Sequence, residues 1–407
     1  AALGSPQAHA AHVRFIGFIW PISKKMLSKL PHTGDSIFSV MTRLATEHGA
    51  LNLAQGFPDF DPDERLQQLV FAAMQERKNQ YAPMPGLPAL REQIANKTRR
   101  CYGYQPNPNS EITVTAGATQ ALFTAIMALV HAGDEVILID PAYDAYAPAV
   151  QLAGGVPIRV PMKYEQLAFH FDWERVEKAL SPKTKMLLLN HPNNPAGTVL
   201  GEEDVQQLHR LLEKSPMLLL SDEVYEHMVF DGKPFLSVLR YEHLRKRAMV
   251  VSSFGKTYHS TGWKIGYVVG PETLQNEFRK VHQFNVFSVN TPMQQAYAQY
   301  LSTDRSDETL PAFYEQKRNL FTHYLSQTPF QFKPAASTYF QLADYSAISH
   351  QSDMDFVLDL VEHNGISLIP ISPFFENPTN HPLVRFCFAK TDAFLQQAGE
   401  TLCQIYA

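Results

Sequence analysis

Met249-Val250-Val251-Ser252-Ser253-Phe254-Gly255-Lys256-Thr257-Tyr258-His259-Ser260-Thr261-Gly262-Trp263-Lys264-Ile265-Gly266-Tyr267 carries a short apolar run into a turn rich in hydroxyls and glycine. Lys256 has a hydroxyl three residues before it, on Ser253, and a second cation eight residues after it, on Lys264. That arrangement suits a lysine that forms a Schiff base beside a phosphate pocket. A lone lysine in a Ser/Gly turn is ordinarily a solvated surface residue, so the reading depends on what the rest of the chain places beside it.

Working outward, short apolar runs alternate with longer helical patterns from about Ile112 onward, the mark of an α/β fold with a mostly parallel sheet covered by helices. The expected strands are Ile112-Thr115, Val136-Ile139, Met186-Leu189, Met217-Leu220 and Met249-Val251, and their continuous apolarity implies burial on both faces. Helical patterns include Gln120-Val130 and Asp204-Glu213. Each strand is followed at once by polar or aromatic residues: Gly117-Ala118-Thr119, Asp140 and Tyr143, Asn190 to Asn194, Asp222 to Tyr225, and Ser252 to Lys256. In open α/β sheets ligands bind in the crevice beyond the carboxyl ends of the strands, so these residues should meet at one site.

After about Leu301 the pattern changes to a long helix, Leu310-Leu325, and shorter strands at Tyr339-Leu342, Ser367-Pro370 and Val384-Phe388. This predicts a large α/β domain over 65–300 and a smaller α+β domain over 301–407, to which an N-terminal segment, 26–64, contributes. Residues 1–25 are Ala-rich with a stray apolar patch, and read as a disordered or cloning-derived extension foreign to the fold.

Composition excludes several classes. The chain has 407 residues, 45% of them hydrophobic, which is too long for one ordinary domain. A net charge of -5 without any long Lys/Arg run gives no basic footprint, so no nucleic-acid partner is expected. No apolar stretch approaches the ~20 residues that cross a bilayer, so no membrane role is expected. Cys101, Cys387 and Cys403 are odd in number and far apart, without metal-binding spacing. They read as plain thiols in a reducing, cytoplasmic setting, and no metal site is expected.

Gly117-Ala118-Thr119 ends a strand and opens a helix, so its N–H groups and the positive helix end can hold a phosphate together with Ser253 and Lys264. Asp222 follows a buried strand, where an unpaired carboxylate is costly unless a protonated ring nitrogen meets it. Asn194 and Tyr225 can hydrogen-bond a phenolate oxygen, and Tyr143 can stack on a ring face. Each has an ordinary alternative as a helix cap, turn former or core aromatic, and Arg385 between Val384 and Phe386 could equally be a salt-bridged strand residue. Their joint order points to pyridoxal 5′-phosphate (PLP).

That order resembles the fold-type I PLP-dependent aminotransferases of class I, in the branch of methionine, kynurenine and glutamine-phenylpyruvate aminotransferases. The resemblance covers about residues 33 to 405. Its most specific pieces are Gln55-Gly56-Phe57-Pro58-Asp59-Phe60, Asn79-Gln80-Tyr81, Asn193-Asn194-Pro195-Ala196-Gly197, Ser221-Asp222-Glu223-Val224-Tyr225 and the lysine run. Lys264 stands where many class I members carry arginine, and Ala196-Gly197 replaces the commoner Thr-Gly; both fit the kynurenine-type branch.

The resemblance implies that Lys256 is the Schiff-base lysine, that Asp222 pairs with the pyridinium, and that Asn194 and Tyr225 bind the phenolate. It implies phosphate contacts from Ala118, Thr119, Ser253 and Lys264, with Tyr81 reaching in from the partner subunit of a homodimer. Gly56, Asn194 and Arg385 would bind the substrate carboxylate, with Phe38, Tyr143 and Phe287 near its side chain. An aromatic-lined pocket without a clearly placed second arginine favours methionine and aromatic amino acids, kynurenine included, over aspartate. The expected activity is a ping-pong transamination to a 2-oxo acid, with cysteine-S-conjugate β-lyase activity at the same site as the alternative. The N-terminal segment is too short for the winged-helix domain of a PLP-binding regulator.

Overall fold

The computed structural model of the protein describes residues 27–31, 33–377 and 381–407, so the expectation for residues 1–25 falls outside the described residues. By contact the chain divides into Ala1–Thr33 and Gly34–Ala407. Of the first unit, the described residues form a turn in which the Thr33 N–H donates to the Leu30 carbonyl over 3.2 Å. All that follows concerns Gly34–Ala407.

Seven strands, β1 (Ile112–Thr115), β2 (Glu135–Asp140), β3 (Val156–Pro161), β4 (Thr184–Asn190), β5 (Leu218–Asp222), β6 (Ala248–Ser253) and β7 (Gly266–Val269), form one sheet in the order β1-β7-β6-β5-β4-β2-β3. From β6 to β3 all neighbours are parallel, whereas β7 runs antiparallel to both β6 and β1. All five expected strands are present. Their side chains alternate between two cores: Ile137, Leu187, Leu189, Leu219 and Val250 enter one, and Val136, Leu138, Met186, Leu188 and Val251 the other. Period-two alternation with apolar residues on both faces is what a helix-covered parallel sheet requires.

β3 and β7 were not among the expected strands. β3 contains Pro157 and Pro161, which cannot donate to a ladder, and it lies at the sheet edge, where that loss is tolerated. β7 is the antiparallel return that follows directly on the lysine turn. The helix expected at Gln120-Val130 is Ala118–Leu129, and that at Asp204-Glu213 is Glu202–Lys214.

A second sheet comprises β8 (Phe340–Asp344), β9 (Ile369–Pro370) and β10 (Leu383–Cys387), antiparallel in the order β8-β10-β9. The helices Ser306–Leu325 and Asp392–Ile405 contribute Phe321, Leu325, Leu395 and Leu402 to its core, joined by Met41, Leu53 and Ala54 from the N-terminal segment. Leu51–Asn52 pairs in parallel with Ile366–Ser367, and the Cys387 N–H donates to the Leu53 carbonyl over 2.8 Å. Arg385 sits on the central strand of this sheet, paired with Leu342 on one side and Ile369 on the other.

Candidate active site

The carboxyl ends of β1, β2, β4, β5 and β6 open onto one cavity of about 500 Å³, which β10 reaches from the second sheet. Ala118, Thr119, Tyr143, Asn194, Asp222, Tyr225, Ser253, Lys256 and Lys264 all line it, as do Gly56, Phe38 and Arg385. Tyr81 and Phe287 do not. They stand on the surface with rings 5.3 Å apart in a T-shaped pair, Tyr81 being 81% exposed.

One end of the cavity is shaped for an anion. Gly117 caps the helix Ala118–Leu129 in a left-handed conformation, φ 79°, and no side chain closes the helix N-terminus. Lys264, also left-handed at φ 55°, brings Nζ to 3.2 Å from where a Cβ on residue 117 would stand, and the positive φ of Gly117 favours glycine there. Lys264 forms no ion pair with any carboxylate among the described residues. Ser253 likewise precedes the turn Phe254–Thr257 without capping it. A free ammonium, an open helix N-terminus and an uncommitted hydroxyl together favour a phosphate.

Asp222, the last residue of β5 and 4% exposed, also lines the cavity. The Tyr146 hydroxyl donates to its Oδ2 over 2.6 Å, and no cation among the described residues lies within ion-pair distance. Burial raises its carboxyl to about 6, with the Tyr146 hydrogen bond opposing that rise. A carboxylate so placed fits a cationic ring nitrogen.

Lys256 lines the same cavity. Its Nζ donates to the Tyr339 hydroxyl over 3.0 Å and to the Gly56 carbonyl over 3.2 Å. Burial lowers its amine to about 8, the range in which a lysine both gives and takes protons at neutral pH.

A chain of hydrogen bonds runs from the large sheet to Arg385. The Asn190 amide donates to the Asp222 carbonyl over 3.0 Å, the Asn194 N–H to Asn190 Oδ1 over 2.9 Å, and Arg385 Nη1 to Asn194 Oδ1 over 2.7 Å. Arg385 is fully buried, its Nη2 donates to the Ala54 carbonyl over 2.8 Å, and Phe340 lies 3.9 Å beneath its guanidinium. Its Nε finds no partner among the described residues, and burial lowers its pKa to about 10. A buried guanidinium without a carboxylate partner suits an anionic ligand group.

Tyr146, Tyr339, Asp144 and Phe340 also line or touch the site, and the sequence reading did not find them; Asn190, expected at the strand end, lines it too. Tyr146 follows the selected Tyr143 by three residues at the head of a helix, the one local signal that pointed to it. Among the described residues no group of three or more His, Cys, Asp or Glu is placed to hold a metal ion, and no helix is long and apolar enough to cross a membrane. Cys387 is buried and Cys101 and Cys403 are half-buried, all three as free thiols.

The family described as aminotransferase class I and II matches residues 49–402. The chain belongs to that family. This aminotransferase is 47% identical over 379 residues to the methionine aminotransferase of Escherichia coli strain K12, covering 93% of the chain and 98% of the relative. It is 33% identical over 395 residues to the kynurenine–oxoglutarate transaminase 1 of Mus musculus, covering 89% and 93%. A solved Escherichia coli structure identified with a methionine aminotransferase function superposes with a TM-score of 0.91 at 47% identity, covering 94% of the chain and all of that structure. The fold is that of the fold-type I aminotransferases, and the enzyme is a transaminase. The family depends on PLP, and the unpaired Lys264, the buried Asp222 and Lys256 in the same cavity fit that group.

Proposed function

We propose that this transaminase moves the amino group of methionine and aromatic amino acids, kynurenine included, to a 2-oxo acid, using PLP held at Lys256. The observation that carries the reading is the convergence of Lys256, Asp222 and Lys264 from strand ends and turns of the large sheet, and of Arg385 from a strand of the second, on one cavity. Lys264, Ser253 and the N–H groups of Ala118 and Thr119 would hold the phosphate, Asp222 the ring nitrogen, Asn194 and Tyr225 the phenolate oxygen, and Tyr143 the ring face. Bound there, the cofactor supplies an electron sink for the carbanion formed at the substrate Cα.

The chain's own groups do the rest. Arg385, with Gly56 and Asn194, holds the substrate carboxylate and so fixes Cα relative to Lys256. The Lys256 amine takes the Cα proton and returns one on the far side of the transfer, work matched to a pKa near neutrality. Phe38 and Tyr143, with ring centroids 6.4 Å apart, give the side-chain end an aromatic wall. That wall, and the similarity to a methionine aminotransferase, support methionine and aromatic substrates. The β-elimination alternative draws no support from these relatives.

The enzyme would act in the cytoplasm as a homodimer in which Tyr81 and Phe287 of one subunit complete the other's cavity; their exposure as an aromatic pair outside their own cavity supports this. The core shared by Met41, Leu53 and the second sheet supports a small domain built from 26–64 and 301–407 beside a large domain over 65–300.

The test is to follow the visible absorption of the PLP-loaded protein as methionine, kynurenine, phenylalanine and aspartate are added singly without an oxo acid. Spectral change with release of oxo acid for the first three and not for aspartate is expected. A preference for aspartate would overturn the substrate reading, and no cofactor absorption even with added PLP would overturn the cofactor reading.

A further inference from the structure

We infer that Tyr339 is a positioning residue for Lys256, its hydroxyl and the Gly56 carbonyl together forming the seat that holds the ε-amine whenever that amine is not covalently engaged. The inference rests on the reading of Lys256 as the reacting lysine, and adds to it a group from the second sheet.

The three atoms close a triangle. Tyr339 Oη donates to the Gly56 carbonyl over 2.8 Å, and Lys256 Nζ lies 3.0 Å from Tyr339 Oη and 3.2 Å from Gly56 O. Because the phenol proton is committed to Gly56, the phenol oxygen is left to accept from the lysine, which fixes the direction of both bonds. Both acceptors are neutral. A carboxylate in this place would trap the lysine as ammonium, whereas a phenol and a carbonyl hold the amine in position and leave it free to lose a proton.

The phenol itself has little freedom. Tyr339 is fully buried, with its ring T-shaped against Tyr225 at 5.3 Å and Phe340 at 4.8 Å, and tilted against Tyr314 at 5.5 Å. The residue before it, Thr338, is left-handed at φ 62°, an outlier for a β-branched side chain. Its N–H donates to the Met228 carbonyl over 2.8 Å, and its hydroxyl accepts from the Phe340 N–H over 3.2 Å. Such strain persists only where the surroundings over-determine it, and here it aims the ring that ends at the lysine. Gly56 also flanks Arg385, whose Nη2 lies 3.7 Å from where its Cβ would stand, so the lysine seat and the carboxylate grip share one backbone segment.

The test uses Tyr339→Phe, with Tyr314→Phe as control, since the Tyr314 hydroxyl is buried without a partner among the described residues. In the apoprotein, the pH midpoint for trinitrophenylation of Lys256, located by peptide mass spectrometry, should fall by about half a unit or more in Tyr339→Phe, because an acceptor that favours the charged amine is gone. In the PLP-loaded protein, the single-turnover rate constant with the fastest amino acid should fall about tenfold or more, while its half-saturating concentration moves less than about twofold. Tyr314→Phe should match wild type in both. If Tyr339→Phe does not fold, 3-fluorotyrosine at 339 keeps ring and hydroxyl with a poorer acceptor, and should move the midpoint in the same direction. Wild-type values for Tyr339→Phe, or for the fluorinated protein, would overturn the role of Tyr339 alone. A wild-type protein that shows no cofactor absorption would overturn the cofactor reading, and this inference with it.

Discussion

The hydroxyl of Tyr146 donates to Oδ2 of Asp222 over 2.6 Å, and both side chains are buried. This bond is the main opposition to the burial that lifts the Asp222 carboxyl to about 6. An acid whose folded pKa is raised stabilises the fold at pH values below its unfolded pKa, near 4, and that contribution is lost as pH rises through about 6. At neutral pH the cofactor-free protein therefore carries the cost of a buried carboxylate that only a cation relieves. Asp222→Asn removes the charge and keeps an acceptor for Tyr146. In thermal or urea unfolding at pH 7.5 the apoprotein of this variant should be more stable than wild type, by about 1–3 kcal/mol. Its affinity for PLP should fall, so that added PLP stabilises it less. A variant apoprotein less stable than wild type would contradict this account.

Arg385 makes two hydrogen bonds to neutral oxygens, from Asn194 and Ala54, and meets no carboxylate among the described residues. Replacing it by lysine keeps a charge and loses the planar fork. Initial-rate kinetics of Arg385→Lys should show kcat/KM lower by about a hundredfold, from a lost interaction of about 3 kcal/mol, mostly in KM. On the proposed reading, in which Arg385 holds the substrate carboxylate, the absorption of bound PLP should be unchanged.

Gly266 lets β7 pass against the Gly117-Ala118 turn, the proposed phosphate site. A Cβ there would stand 2.8 Å from the Ser252 carbonyl, 3.0 Å from Gly117 C and 3.1 Å from Ala118 N, all backbone atoms that cannot swing aside. Gly266→Ala should lose about 1–3 kcal/mol of stability and bind PLP more weakly, as read by thermal unfolding and by cofactor titration. Gly262→Ala, where a Cβ meets nothing within 4 Å, is the control and should leave both nearly unchanged.

If Tyr81 acts in trans, two inactive variants should rescue each other. In a dimer of one Lys256→Ala subunit and one Tyr81→Ala subunit, one cavity has a wild-type lysine and a wild-type Tyr81 from the opposite chain. Equal mixing after dissociation should restore activity toward about a quarter of the wild-type level, since half the dimers are hybrids with one sound site of two. No rise above the mean of the parents would place Tyr81 outside the partner's site.

The central sheet was legible because its inner strands carry continuous apolar runs, a pattern that burial on both faces explains, as in Met186-Leu187-Leu188-Leu189. β3 was not, because Pro157 and Pro161 argue against a strand wherever edge position is unknown. Residues that bring their own chemistry, Lys256, Asp222 and Arg385, could be singled out by type and by their place after or within a strand. Tyr146 and Tyr339 could not, since an aromatic residue beside apolar ones reads as core, and where its hydroxyl ends is decided by tertiary packing. Tyr81 and Phe287 came from the family resemblance, and a single subunit leaves them outside its cavity.

The bonds that tie the site together are long in sequence. Asn194 and Arg385 are 191 residues apart, Gly56 and Lys256 are 200, and Ala54 and Arg385 are 331. A chain emerging from the ribosome can complete its seven-stranded sheet, with the lysine turn and the anion end of the cavity, well before β10 is made. The cofactor pocket can thus exist on a nascent chain that has no grip on an amino acid. On the proposed reading, the grip on the substrate carboxylate would come only with the last strand, when Arg385 meets Asn194.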